Sequence, residues 1–141
     1  MTLEEFNTTF AQADDPAERM DMLEQLMATA CLPWNEVATR LARILTEDPN
    51  SVVRHEAAFA LGELRGAGRI DLDSGAEELC QAALHDRSIV VRHEATEALY
   101  GYAGQIVDET LKLLLSDPSD EIRETAAISM SWRRSLAAVS R

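Results

Sequence analysis

Three segments of the chain superpose without a gap, and this repetition limits the fold more than any other feature of the sequence. They are Asp48-Pro-Asn-Ser-Val-Val-Arg-His-Glu-Ala-Ala-Phe-Ala-Leu-Gly62, Asp86-Arg-Ser-Ile-Val-Val-Arg-His-Glu-Ala-Thr-Glu-Ala-Leu-Tyr100 and Asp117-Pro-Ser-Asp-Glu-Ile-Arg-Glu-Thr-Ala-Ala-Ile-Ser-Met-Ser131. Each places Arg six residues after Asp, and Ala three residues after that Arg. His55 and His93 are 93 − 55 = 38 residues apart, and Glu124 follows His93 by 124 − 93 = 31, which is the length of a two-helix repeat. A unit that short cannot bury its apolar face alone, so neighbouring copies must stack. The surplus of the first interval falls in Arg65-Gly-Ala-Gly-Arg-Ile-Asp-Leu-Asp-Ser74, whose glycines, Asp and Ser mark a surface loop.

Helix signals fill in the unit. Val53, Ala57, Ala60, Leu61 and Leu64 follow the i, i+4, i+7, i+8, i+11 spacing of one buried stripe, with Gly66 as a left-handed stop. Ser74 with Glu77 reads as a capping box opening a helix through about His85, and Gly104 precedes another through about Leu115. Upstream, Asp15-Pro16 offers a cap with proline at the first helical position, and Pro33 begins an amphipathic stretch toward Thr46. The expectation is an all-α solenoid of antiparallel helix pairs, about eight helices in roughly four repeats. It forms one domain over 1–141, in which 1–47 are degenerate capping helices and 48–141 carry the three recognisable copies. Apolar residues are 46% of the chain but aromatics only 5%, so Ala57, Ala60, Leu61, Ala95, Ala98, Leu99 and Ala126 are expected to fill the gaps between repeats. Trp34 and Trp132 flank the copies and are expected to cap the ends of the core.

Charge and motif content exclude several functions. A net charge of −12 repels phosphate backbones and anionic membrane surfaces, so no nucleic acid and no membrane is expected as a partner. No apolar run approaches a membrane span and the first residues lack a basic segment before an apolar one, which predicts a soluble, unexported, cytoplasmic protein. Cys31 and Cys80 sit in apolar helical patterns without CxxC spacing, and both read as buried thiols. The absence of a phosphate-binding glycine loop and of a Ser-His-Asp order leaves hydrolase and kinase chemistry without support.

The pairs His55-Glu56 and His93-Glu94 stand at one repeat position, about a turn into the second helix of each copy. At 100° per residue, His55 lies 200° from Val53 and points away from the buried stripe, as His93 does relative to Val91. Stacked repeats therefore put two imidazoles and two carboxylates on one surface, a donor set that suits non-haem iron, manganese or zinc. His85 closes a first helix, where a cation is mildly favourable, and is expected to have no part in such a site.

The segment from Asp48 through Val-Arg-His-Glu-Ala-Ala-Phe-Ala-Leu-Gly-Glu-Leu64 resembles the HEAT-like repeats of phycobilisome lyases and of deoxyhypusine hydroxylase, and the resemblance covers residues 48 to about 131. It implies a ladder in which Asp48, Asp86 and Asp117 stack with Arg54, Arg92 and Arg123, and second helices that line a concave face. It also implies a di-iron centre that activates oxygen, held by His-Glu motifs, with His55, Glu56, His93 and Glu94 as metal ligands. The resemblance points to a non-haem iron monooxygenase or hydroxylase. That family carries four motifs in two halves and this chain carries two, since Glu124-Thr125 replaces the third. A homodimer would restore four. The alternative is a metal-free interaction module that grips another protein by the same face, as phycobilisome lyase repeats do.

Overall fold

Each of the first helices begins where the chain supplies acceptors for its free N–H groups. The computed structural model describes residues 1–139, with side chains to residue 134. In α1 (Leu3–Gln12), Thr2 and Glu5 cap reciprocally, with Glu5 N donating to Thr2 Oγ1 at 3.1 Å and Thr2 N to Glu5 Oε2 at 2.8 Å. In α2 (Pro16–Ala28), the Asp15 carboxylate accepts from Ala17 N at 3.0 Å, and proline takes the first helical position. Then follow α3 (Trp34–Glu47), α4 (Ser51–Gly66), α5 (Ala76–His85), α6 (Ile89–Ala98), α7 (Gln105–Leu114) and α8 (Asp120–Val139). Among the described residues the fold is all-α, without strands.

The helices pack as successive pairs, α1 with α2, α3 with α4, α5 with α6 and α7 with α8. Across the pairs, α2, α4, α6 and α8 lie side by side in one layer, and α3, α5 and α7 in the other. Small side chains set the spacing. Ala57, Ala60, Leu61, Ala95, Ala98, Leu99 and Ala126 are all buried between repeats as expected. At Gly62 an added Cβ would stand 3.1 Å from Ala98 Cα and Cβ, so any side chain there would push α4 and α6 slightly apart.

Four local expectations are corrected. The cap of α5 is Gly75 at φ +82°, with no side-chain capping bond, in place of a Ser74–Glu77 box. Ser74 is occupied elsewhere: its hydroxyl bonds Asn35 Oδ1 at 3.1 Å and its carbonyl accepts from Tyr102 Oη at 2.6 Å. The left-handed stop of α4 is Gly68 at φ +69°, two residues beyond Gly66, with Arg69 N donating to Leu64 O across the turn. Cys31 is exposed with φ +60°, because α2 ends at Ala28 and the thiol falls in the following turn, whereas Cys80 is buried. Trp132 does not cap the core; it is half-exposed and stacks on Tyr100 at 5.9 Å, whereas Trp34 packs against the core beneath the Arg69 guanidinium at 4.9 Å.

The repeats are joined by a ladder of ion pairs. Arg54 donates through Nε and Nη2 to both carboxylate oxygens of Asp86 at 2.9 and 3.1 Å, and through Nη1 to the Asp48 carbonyl at 2.9 Å. Each aspartate also accepts from a backbone N–H two residues on, Asp48 from Asn50, Asp86 from Ser88 and Asp117 from Ser119. Arg92 repeats the pattern more loosely, at 3.3 Å to the Asp86 carbonyl and 3.7 Å to the Asp117 carboxylate. A further rung precedes these: Arg19 bonds Asp48 at 3.1 Å through two nitrogens and the carbonyls of Ala13 and Asp14. Removing Arg54 leaves the Asp86 carboxylate buried without its counter-charge, so Arg54→Ala is expected to cost about 3 to 5 kcal/mol. Arg92→Ala, at the more exposed and longer rung, is expected to cost about 1 to 2 kcal/mol, with urea unfolding midpoints ranking the two.

Candidate metal centre

The ladder fixes how α4 sits against α6, and the His-Glu motifs meet across that gap. His55 Nε2 of the first motif lies 3.1 Å from Glu94 Oε2 of the second, with side-chain exposures of 30% and 13%. The contact is diagonal, from the position after Arg in one copy to the second position after Arg in the next. The same diagonal from His93 reaches Thr125, whose Oγ1 stands 3.4 Å from His93 Nε2. His93 Nε2 also lies 3.4 Å from Glu97 Oε1, one turn along α6.

Of the four proposed ligands, the fold thus brings His55 and Glu94 together and sets Glu56 and His93 at either side of them. Glu56 lines the groove between α2 and α4 with Glu24, Met27, Phe59 and Glu63. Met20, the residue after Arg19, holds the histidine position of the preceding unit, so Glu56 has no imidazole to meet. His93 lacks a carboxylate on the diagonal because the third copy carries Thr125. Glu124, at the histidine position of that copy, is exposed, and so is His85 at the end of α5. Glu97 and Thr125 were not singled out from the sequence; the fourth-residue spacing from His93 would have flagged the first, and the cross-repeat register the second.

Burial holds the Glu94 carboxyl above its ordinary value of 4.5, opposed by the charge of His55, raised further by Glu97, lowered by His93 and raised by Glu56. Those five side chains share one electrostatic neighbourhood on the outer face of α4 and α6. Apolar residues flank it along the same layer: Val52 and Val90 on one side at 50% and 56% exposure, Phe59 and Ile128 on the other at 44% and 66%. Imidazole and carboxylate suit iron by chemistry, but one chain does not suffice by number. Among the described residues, no group of three or more His, Cys, Asp or Glu stands together as a metal site.

The raised carboxyl has a signed consequence for the metal-free protein. A group whose folded pKa exceeds its unfolded one contributes stability that is present below the unfolded value and lost as pH rises through the folded value. Glu94→Gln removes the charge that burial opposes, so the metal-free variant is expected to unfold at a higher urea concentration than the parent at neutral pH. The gap should close as pH falls below 4.5, a trend that urea titrations across that interval would follow.

No known protein-family profile matches the chain. A deoxyhypusine hydroxylase of Arabidopsis thaliana is 38% identical over 91 residues, covering 62% of this chain and 26% of that protein. One from Aspergillus clavatus is 36% identical over 115 residues, covering 79% and 32%, and one from Emericella nidulans is 31% identical over 111 residues, covering 77% and 31%. The chain therefore spans between about a quarter and a third of the length of these relatives. Over most of its own length, the chain is similar to part of a deoxyhypusine hydroxylase.

Proposed function

We propose that the chain is a HEAT-like iron protein related to deoxyhypusine hydroxylase, whose paired His-Glu motifs form half of a metal centre completed in a homodimer. The contact that carries this reading is His55 Nε2 on Glu94 Oε2 at 3.1 Å, where the imidazole of one motif meets the carboxylate of the next. His55, Glu56, His93 and Glu94 would hold the metal, with a di-iron arrangement as the form the resemblance implies. Iron so held would supply oxygen-activating chemistry of the hydroxylase class. In its absence His55 and Glu94 can share a proton between facing atoms, so the pair remains satisfied and half-buried.

Two features support the dimer. Glu56 has no histidine opposite it and His93 has no glutamate across the inter-repeat gap, only Glu97 of its own helix, so each end of the row is short of a partner group that a second copy carries. The apolar residues Val52, Val90, Phe59 and Ile128 flank the row on the same outer face, as an apolar surround to a polar centre would. Apposing two such faces across a two-fold axis would also bring the Glu56, Glu94 and Glu97 carboxylates of one copy near those of the other, and a bound cation would relieve that repulsion. Metal binding and association are therefore coupled by mass action. The same exposed apolar residues, without three donors together among the described residues, favour a second reading, in which this face is a metal-free module that binds another protein.

Metal analysis by mass spectrometry after anaerobic reconstitution with Fe(II), on protein purified without a histidine tag, and solution mass separate the two readings. The joint replacement His55→Ala and His93→Ala is expected to abolish iron binding and weaken association while leaving the helical signal intact. His85→Ala is expected to change neither. A protein that stays monomeric and metal-free after reconstitution, or a double variant that still binds iron stoichiometrically, would leave the interaction module as the better account.

A further inference from the structure

We propose that the groove between α1 and α3 binds a small oxyanion, a phosphate or carboxylate group, on the guanidinium of Arg40. This groove is separate from the His-Glu row and stands independently of it. It has a volume of about 240 Å³ and is lined by Phe10 and Ala11 of α1, Arg19 of α2, Arg40, Arg43, Ile44 and Glu47 of α3, and Asp48 and Pro49 of the following turn. The first-helix layer opens here. Close contacts join α3 to α5 and α5 to α7, whereas α1 packs mainly on α2.

The charges in the groove divide into satisfied and unsatisfied ones. Arg19 is held by both oxygens of Asp48 at 3.1 Å, and Arg43 by Glu47 at 3.0 Å. That leaves Arg40. Among the described residues no carboxylate pairs with it and no acceptor takes any of its N–H groups, and its Nε is buried without a partner. Its guanidinium carbon sits 5.5 Å from the Phe10 ring centroid, so the planar group rests against an aromatic ring. Burial and the neighbouring Arg43 both work against its charge, opposed by Glu47.

An unpaired half-buried guanidinium is out of character for a chain with 25 acidic and 13 basic residues, in which carboxylates are in excess. A guanidinium backed by an aromatic ring presents its N–H groups at the edge of the plane, the geometry that receives two oxygens of a carboxylate or phosphate. A bound oxyanion would supply the missing acceptors and offset the Arg40–Arg43 repulsion. Glu47 and Asp48 do not close the groove to anions, because each already has its own arginine.

Phosphate and acetate, titrated separately into the isotope-labelled whole protein in a bulky sulfonate buffer, test the proposal through backbone amide shifts. Saturating shifts at Ala11, Arg43, Ile44 and Asp48 are expected with at least one of the two, and saturation by phosphate alone or acetate alone identifies which oxyanion geometry fits. R40Q is expected to abolish saturation, and R87Q, at an exposed arginine of the α5–α6 turn, to preserve it. Should R40Q loosen α1, R40K keeps a cation on Phe10 without the planar fork and is expected to weaken binding several-fold. Shifts that rise linearly without saturating, that survive in R40Q, or that are as tight in a folded R40K as in the parent would overturn the site.

Discussion

The pairing of each arginine with the aspartate of the following repeat is the constraint on which the rest of this structure depends. Arg54 grips two oxygens of Asp86 and at the same time the carbonyl of Asp48, so one guanidinium ties the start of α4 to the start of α6. Farther along, Gly62 lets α4 rest against Ala98 of α6. Two fixed points determine both the offset and the rotation of one helix on the next. The side chain after Arg54 then has no choice of neighbour, and His55 meets Glu94. The same offset carries His93 to Thr125, which makes the diagonal a property of the repeat and not of one pair of residues.

Much of this was legible in the sequence, because it is periodic. Three copies of Asp, Arg and Ala at constant spacing revealed the solenoid and the buried stripe, and the resemblance implied the rungs, which form at Arg54 and Arg92 but not at Arg123. Arg19 escaped notice since the unit it belongs to has Ala13 where the others have Asp, although the Ala13 carbonyl accepts from Arg19 just as the Asp48 carbonyl accepts from Arg54. The Ser74–Glu77 signal misled for a different reason. A capping box is a local pattern, whereas Ser74 is drawn into bonds with Asn35 and Tyr102, far away in sequence. Helical periodicity likewise placed His55 and Glu94 on one surface but carried no information about the gap between helices, which is where the candidate site lies.

The Glu94 environment fits the ligand role proposed for it, at the expense of the metal-free chain. A carboxylate with 13% exposure among Glu56 and Glu97 is poorly solvated and repelled, and only the two histidines favour its charge. Sites that must receive a cation carry this kind of unfavourable charge concentration, since the cation then binds a group that water and protein have left undersatisfied. Structural ion pairs in the same molecule look different. Arg54 with Asp86 is closed, bidentate and balanced in charge.

The third copy argues further that the His-Glu row is a local device laid over a general scaffold. There Arg123 keeps its bond to the Asp117 carbonyl at 2.6 Å but turns its other nitrogen to Asp120 of its own helix. Ala126 stays buried in the place that Ala57 and Ala95 hold, while Ser129 takes the place of Ala60 and Ala98, and the partly buried Met130 that of Leu61 and Leu99. What it has lost is the histidine and the glutamate, replaced by Glu124 and Thr125, while Val53, Val91 and Ile122 remain equivalent in the core. Packing thus tolerates either motif at these outward positions. The presence of His-Glu in two adjacent copies, facing each other across one inter-repeat gap, is therefore not something stability of the solenoid requires, which accords with the metal-binding role proposed for it.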